Sequence, residues 1–259
     1  MAGGLRIARD RGRAVLLAMM RDPYCRAQDL LCRGRYRASA EAFSALAGRS
    51  ARVAEAHTLD LIGRFEEALR CCDRVVEEDP GDPDGWYMQG VVLFHLGRFH
   101  ESSESYDRTL AIEPDRAEAW YGKGNNHYQL GNFAVSADCF AQALRIDPGY
   151  GKAWYNRGVA CADMRDHEEA VRCYEEYRAI NPAHLSAVGT NIGVSLSYLG
   201  RYEEALDCFD EVLAENPSDE YALHNRAVTL MRMGRGKEAE EAFSRAAEIT
   251  RTRQMRRVL

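Results

Sequence analysis

The chain has 259 residues, of which 46% are hydrophobic and 29% charged, and its formal net charge is −6 at pH 7. This length and apolar content supply a sizeable buried core and exclude the sparsely hydrophobic class of disordered proteins. No apolar run approaches the roughly 18 residues of a membrane-spanning helix, so we expect no association with a membrane.

Residues 1–19 form a basic segment with a net charge of +3, and we predict that this segment is a helix. The short apolar patch and the following "RDPYC" lack the long hydrophobic region and cleavage site of a signal peptide, so we expect a cytoplasmic protein. Residues 254–259 are a predicted basic tail. Since residues 251–259 carry +4, a total of −6 leaves −13 for the part between the two ends. This acidic part disfavours binding to nucleic acid and favours a partner segment of basic or mixed charge.

The central part of the chain repeats itself every 34 residues. Trp86, Trp120 and Trp154 are 34 residues apart, and a glycine follows each of them four residues later. The prolines keep the same spacing at positions 80, 114, 148 and 182. Residues 20–253 are therefore predicted to form one array of seven units, with the bounds 20–48, 49–82, 83–116, 117–150, 151–185, 186–219 and 220–253.

Each unit has the pattern of a helical hairpin. Apolar residues recur at helical spacing in its first half, and a glycine such as Gly131 then marks the turn, where it can take the left-handed conformation that caps a helix. A glycine at the eighth place, such as Gly124, lets the second helix approach closely, and a proline ends that helix. We expect Trp120 to be a buried residue between the helices. One hairpin cannot bury its apolar face alone, so the units must stack.

The pattern W-x-x-x-G, L-G-x-[FY], A-x-x-x-[FY] and [DEN]-P resembles the tetratricopeptide repeat, and the resemblance covers nearly the whole chain. It implies an all-α fold, a right-handed superhelical solenoid of helix-turn-helix hairpins with a concave groove. The chain departs from the pattern at Arg165, which stands in a turn-glycine place, and at Gly236, which stands in the aromatic place of the last unit. The pattern gives no reason for Gly122.

The sequence offers no catalytic or metal-binding motif. The stretch "GKGNN" at residues 122–126 lacks the spacing of a phosphate-binding loop and lies within a predicted helix. Cys71, Cys139, Cys173 and Cys208 share one place in four second helices, where packed neighbours are about 8–10 Å apart, too far for disulfide bonds. We therefore expect no enzyme, no cofactor and no metal, with reduced cysteines as small apolar side chains.

The resemblance also implies where a groove lies, because in this family the second, fifth, ninth and twelfth places of the first helices line it. In the middle units these places hold a column of tyrosines with apolar and polar neighbours: Tyr87, Val91, Phe94, Tyr121, Asn125, Tyr128 and Tyr155. Large aromatic side chains with a polar group suit a peptide-binding surface. The alternative is that these tyrosines pack between repeats.

The sixth place holds a second candidate set, Asn156, Asn191 and Asn225. Related arrays in sugar-transferring enzymes hold a ligand's backbone with an asparagine ladder, since an amide both donates and accepts hydrogen bonds. A purely structural role is the alternative. The last unit presents four residues at groove places, Tyr221, His224, Val228 and Met231. The carboxylate clamp of chaperone-binding relatives is not matched, because no register supplies its lysine and arginine pairs.

The sequence thus predicts a non-catalytic adaptor whose groove binds a peptide segment or helix of another protein. Two alternatives stay open: a self-assembling scaffold, which would be a homo-oligomer, and a non-catalytic subunit of an enzyme complex.

Overall fold

The computed structural model describes the backbone of residues 22–182 and 185–258, and no strand occurs in this part of the chain. The predicted all-α fold is confirmed. The predicted basic segment 1–19 lies outside the described residues. The chain divides into two compact units, residues 1–126 and 127–259.

The first unit contains three helical hairpins and most of a further helix. Its helices are α1 (Pro23–Cys32), α2 (Tyr36–Ser44), α3 (Arg49–Leu61), α4 (Phe65–Glu78), α5 (Pro83–His95) and α6 (Phe99–Ile112). Helix α7 (Ala117–Gln129) begins in this unit, and it contains the "GKGNN" stretch, as expected from the sequence.

The second unit continues the alternation of first and second helices. Its helices after α7 are α8 (Phe133–Ile146), α9 (Gly151–Asp163), α10 (His167–Ile180), α11 (Leu185–Tyr198), α12 (Tyr202–Glu215), α13 (Glu220–Arg232) and α14 (Gly236–Val258). Helix α14 continues through the predicted boundary at residue 253 into the predicted tail. The bounds of the seven repeats stay a prediction, because helix ends alone do not define where a repeat begins.

The turn within each hairpin reverses the chain through one left-handed residue. Six turn glycines have φ between 71° and 77°, and Arg165 takes the same role with φ 65°. At the end of α3, the Gly63 amide donates to the Asp60 carbonyl and the Arg64 amide to the Leu59 carbonyl, both at 2.9 Å. These two hydrogen bonds supply donors to carbonyl groups that have no partner within the helix at its C-terminal end.

The eighth-place glycines make room for an aromatic ring of the second helix. A Cβ atom on Gly90 would lie 2.7 Å from Tyr106 Cε1, and one on Gly158 would lie 2.6 Å from Tyr174 Cε1. Real Cβ atoms do not approach so closely, so only glycine fits. Nearby, the buried Ser102 hydroxyl donates to the Gly90 carbonyl at 2.7 Å. Close helix approach is thus confirmed as the reason for these glycines.

The three tryptophans differ from the expectation of a buried core residue. Each ring is half-buried, and the Nε1–H groups of Trp86, Trp120 and Trp154 donate to the carbonyl of the proline six residues earlier, at 2.9, 3.1 and 3.0 Å. The Trp120 hydrogen bond therefore stabilises the turn that precedes its helix, and only part of its ring is buried. The ring also packs against the buried cluster of Tyr106, Leu110 and Ala119, so Trp120 does contact the core as predicted, but it is half-buried where full burial was expected.

Candidate binding groove

The ten predicted groove residues share one degree of exposure: each is half-buried. Five lie in the first unit, namely Tyr87, Val91, Phe94, Tyr121 and Asn125. Five lie in the second unit, namely Tyr128, Tyr155, Asn156, Asn191 and Asn225. Half-burial fits both a groove wall and packing between repeats, so the contacts of each side chain decide between the two.

In the first unit, Tyr87 is held mainly by packing. Its ring lies 5.9 Å from the ring of Tyr106 between centroids, and the Arg116 guanidinium carbon lies 4.3 Å from its centroid. Arg116 in turn pairs with Asp84 at 2.9 Å. Burial raises the pKa of the Tyr87 phenol. Tyr87 therefore offers a partner only the part of its ring that these neighbours leave uncovered.

In the second unit, Tyr155 is also committed to internal contacts. Its ring packs against Tyr174 and Tyr177, with centroids 5.9 and 5.4 Å away. Its hydroxyl accepts a hydrogen bond of 3.1 Å from Asn191 Nδ2. Another predicted ladder amide, Asn225 Nδ2, donates to the Tyr221 carbonyl at 2.9 Å within its own helix. One donor of each of these two asparagines is therefore used inside the protein.

Tyr128 bridges to the next hairpin of the second unit. Its hydroxyl donates to Asp163 Oδ2 at 2.7 Å, and its ring lies 5.3 Å from that of Phe133. Burial and the Asp163 carboxylate together raise the pKa of the Tyr128 phenol to about 12. The bond and the ring contact hold the Tyr128 side chain in one position.

Among the residues at predicted groove places, the most exposed lie on α13. Tyr221, His224, Val228 and Met231 follow one another at spacings of three, four and three, which places them on one helical face. Tyr221 is 79% exposed and Met231 61% exposed, and we call these four residues the α13 stripe. The sequence already indicates this stripe. The second place of the middle units is a charged residue (Asp84, Glu118 or Lys152), whereas in the last unit it is Tyr221.

A cleft opens beside α11 in the same unit. It encloses about 330 Å³, and its lining includes Asp163, Arg165, His167, Asn191, Val194 and Tyr198. We call it the Arg165–Tyr198 cleft. Asn191 and Val194 bring the predicted groove face of α11 into it, while Arg165 and His167 come from the preceding hairpin turn and α10. Sequence reasoning did not find this cleft, because it depends on how α11 packs against α9 and α10.

The helical hairpins agree with a sequence comparison. The model of the tetratricopeptide repeat matches residues 62–117, 96–150, 121–184 and 190–253, well over half of the chain. The chain belongs to the tetratricopeptide repeat (TPR) family. No curated protein sequence is significantly similar to it.

Several solved TPR structures share the fold. YrrB, described as a TPR protein with an unusual peptide-binding site, is 22% identical with a TM-score of 0.63, over 69% of this chain and 91% of its own. MamA is 21% identical with a TM-score of 0.60, over 66% and 92%. PilF of Pseudomonas aeruginosa is 17% identical with a TM-score of 0.64, over 79% and 91%. At these identities the likeness concerns the fold alone.

The described residues of this TPR chain include neither a cluster of metal ligands nor a helix suited to a membrane. No three of their His, Cys, Asp or Glu side chains converge as metal ligands would. Within the same residues, no helix combines the length and apolar character needed to cross a membrane. Lys123 of the "GKGNN" stretch pairs with Asp107 at 2.5 Å, so its charge is already matched.

The four cysteines that share one place in the second helices are all free thiols. Cys139 and Cys173 are buried, whereas Cys71 and Cys208 are half-buried. Burial raises the pKa of the Cys71 and Cys208 thiols to about 11, which keeps both groups protonated and unreactive at neutral pH.

Proposed function

We propose that this chain is a non-catalytic adaptor that binds a peptide segment of a partner protein on the groove face of its second unit. A TPR array is a scaffold for protein interactions, and the first helices of its hairpins supply the contact surface. The proposal adds the kind of occupant and the place where it binds. Its centre is the α13 stripe, with the half-buried groove residues of α9 and α11 beside it.

The exposure of the α13 stripe carries this proposal. A tyrosine that is 79% exposed and a methionine that is 61% exposed share one helical face, with Val228 half-buried between them. Each square ångström of apolar surface left in water forgoes about 25 cal/mol, so covering this face with a partner is favourable. Tyrosine and methionine are also enriched where proteins bind one another. The peptide-binding description of YrrB is consistent with this use of the fold.

Rigid neighbours prepare the surface for binding. The Asn191–Tyr155 and Tyr128–Asp163 hydrogen bonds hold polar groove side chains in place before a partner arrives. A pre-ordered surface loses little conformational entropy on binding, so more of the contact energy remains as affinity. Backbone groups of an extended peptide find donors and acceptors at these side chains, while its apolar side chains cover the α13 stripe.

A peptide-display selection tests the proposal. The full chain is immobilised and challenged with a random 12-residue peptide library, and enriched sequences are compared between the wild type and Tyr221→Ser/Met231→Ser. Val135→Ser/Ile180→Ser is the matched control, because these residues are 46% and 38% exposed apolar side chains of second helices. We expect the wild type and the control to enrich the same peptides, and the α13 double variant to enrich none of them.

Two results would contradict the proposal. If the wild type enriched no peptide, the chain would not be a peptide-binding adaptor. If the α13 double variant retained the enriched set, a peptide would bind elsewhere on the chain.

A further inference from the structure

Two cysteines of one hairpin in the second unit face each other inside the protein. Cys161 lies on α9 and Cys173 on α10, and they are only 3% and 0% exposed. The Cys173 thiol donates a hydrogen bond to the Cys161 sulfur, so the two sulfur atoms are in contact. Both are free thiols. The pair therefore differs from the cysteines that share one place in successive second helices, because its members lie on the two packed helices of a single hairpin.

The two helices pack closely beside this pair. A Cβ atom on Gly158, one helical turn before Cys161, would lie 2.6 Å from Cε1 of Tyr174, the neighbour of Cys173. A disulfide requires Cα atoms within about 7 Å, and a close helical hairpin brings them into this range. Because the sulfur atoms already touch, rotation of the two side chains is enough to bring them to a bond length of about 2.0 Å.

The thiols lie directly beneath an ion pair of the protein surface. Glu169 Oε1 is 3.9 Å from Cys173 Sγ, and the same carboxylate pairs with Arg157 at 2.7 Å. The side chains of Arg157 and Glu169 are 24% and 18% exposed. One layer of side chains thus separates the thiols from water. A small molecule reaches them when this ion pair opens, which requires only a local fluctuation of the surface.

The hydrogen bond decides which of the two sulfurs ionises first. It lowers the pKa of the Cys161 thiol, and the Arg157 guanidinium acts in the same direction, against the opposing effect of burial. The same hydrogen bond, together with burial, raises the pKa of the Cys173 thiol. Since the thiolate is the reactive form of cysteine, Cys161 is the nucleophile of the pair and Cys173 is the protonated partner beside it.

We propose that Cys161 and Cys173 form a redox modification site, at which a peroxide converts the two thiols into a disulfide that joins α9 to α10. The inference goes beyond peptide binding and does not depend on it. A reactive thiol with a second thiol in contact is the arrangement in which oxidation stops at a disulfide, because the second sulfur captures the first oxidation product.

The reaction has two steps. The Cys161 thiolate attacks one oxygen of hydrogen peroxide and becomes a sulfenic acid, while the other oxygen leaves as hydroxide and takes up the proton that Cys161 released. The Cys173 sulfur then attacks the Cys161 sulfur, and the sulfenic hydroxyl leaves with the Cys173 proton as water. In total the two thiols lose two electrons and two protons, and one peroxide becomes two water molecules.

Peptide mapping of the full wild-type chain tests the proposal. The folded chain is treated with hydrogen peroxide, its remaining thiols are alkylated in urea, and it is digested with trypsin without a reductant. Trypsin cuts after arginine, so residues 158–165 form a peptide with Cys161 alone and residues 173–178 a peptide with Cys173 alone. We expect mass spectrometry to find these two peptides joined, with the loss of two hydrogen atoms, and to find them separate after dithiothreitol.

Three controls accompany the mapping. Cys161→Ser and Cys173→Ser, with helicity checked by circular dichroism, should give no joined peptide. Cys208→Ser removes a half-buried thiol elsewhere in the same unit and should leave the joined peptide unchanged. Oxidation of the wild type in urea removes the contact between the helices, so disulfides should then be scattered over the eight cysteines of the chain. This last control needs no variant to fold.

Thermal unfolding provides a second readout. A disulfide between α9 and α10 restricts the unfolded chain, so the oxidised wild type should unfold at a higher temperature than the same sample after dithiothreitol. Cys161→Ala treated with peroxide should show no such difference. This comparison isolates the disulfide, since oxidation of other side chains by peroxide occurs equally in the wild type and the variant.

Three results would overturn the proposal. The first is that peroxide leaves Cys161 and Cys173 as separate peptides, whether alkylated or oxidised to higher acids. The second is that either cysteine joins mainly to a different cysteine in the folded chain. The third is that the joined peptide forms in urea as often as in the folded chain, because the fold would then not direct the pairing.

Discussion

The ring of Tyr106 fills the space that a side chain at Gly122 would occupy. A Cβ atom on Gly122 would collide with Tyr106 Cζ, Cε2 and Oη, and Tyr106 itself is only 3% exposed. Tyr106 therefore packs against glycines on both sides, Gly90 in its own hairpin and Gly122 in the following helix. This contact explains a glycine for which the repeat pattern supplies no reason.

Gly122→Ala should destabilise the chain. Alanine gains about 1 kcal/mol of helix propensity over glycine. The added methyl group forces the buried Tyr106 ring to move, and overpacking of this kind costs about 1–3 kcal/mol. We expect a net loss of about 1 kcal/mol in the free energy of unfolding, measured by urea denaturation followed by circular dichroism.

Gly236→Ala is the control for Gly122→Ala, because no atom lies within 4 Å of a Cβ atom built there. It should be neutral or slightly stabilising. Equal effects of the two substitutions would show that Tyr106 does not exclude a side chain at position 122.

Arg165→Gly should stabilise the chain. The left-handed conformation costs an L-residue about 1–2 kcal/mol, and glycine avoids this cost. Part of the gain is offset because glycine is freer in the unfolded chain, by about 0.4–1 kcal/mol. We expect urea denaturation to report a net stabilisation of about 0.5–1 kcal/mol. Gly131→Ala, at φ 75° with open space around it, should have the opposite sign. A less stable Arg165→Gly variant would contradict the strain at this turn.

Trp120→Phe should cost about 1 kcal/mol, the usual net value of one hydrogen bond. Phenylalanine keeps most of the half-buried ring surface but cannot donate to the Pro114 carbonyl. Trp154→Phe removes the equivalent bond to Pro148 and should lose a similar amount. Thermal unfolding of both variants provides the comparison. A loss above about 3 kcal/mol in the truncated variant Trp120→Ala would instead indicate the fully buried core residue that the repeat pattern predicts.

The Tyr128–Asp163 contact should make part of the stability depend on alkaline pH. The pKa of the Tyr128 phenol is raised from 10.0 to about 12 in the folded chain, so the folded state favours the protonated form. The stabilisation is fully present below pH 10 and is lost as the pH rises through about 12.

Tyr128→Phe provides the measurement for this pH dependence. The difference in unfolding free energy between wild type and variant should shrink across that window, and the phenol that ionises at about pH 12 should vanish from the ultraviolet difference spectrum. A difference that did not change with pH would mean that the hydroxyl is not bonded to Asp163. Tyr221→Phe, at an exposed residue, serves as the control.

The hairpins could be predicted from the sequence because their determinants are local. The 34-residue spacing and the turn glycines fix where helices end, and Gly63 shows the expected left-handed cap. The contacts of Trp120 and Gly122 were not predictable, because each depends on a residue that only packing brings near. Pro114 receives the Trp120 hydrogen bond, and Tyr106 covers Gly122.

The groove could be predicted only in part, for a similar reason. Tyr155 and Tyr221 both occupy predicted groove places, yet two tyrosines of α10 cover much of Tyr155, whereas Tyr221 stays 79% exposed. Because Tyr155 has these internal contacts, a Tyr121→Ala/Tyr155→Ala variant would change folding as well as binding. Tyr221 and Met231 avoid this problem.

The position of Met231 allows the most direct test of the account. The chain has eight methionines, and their methyl groups can be labelled and followed by NMR while a peptide enriched on the wild type is titrated. We predict that the Met231 resonance shifts and saturates with the peptide, while that of Met88, which is only 5% exposed, stays in place. A peptide that bound with the same affinity and left Met231 unshifted would contradict a binding site on the α13 stripe.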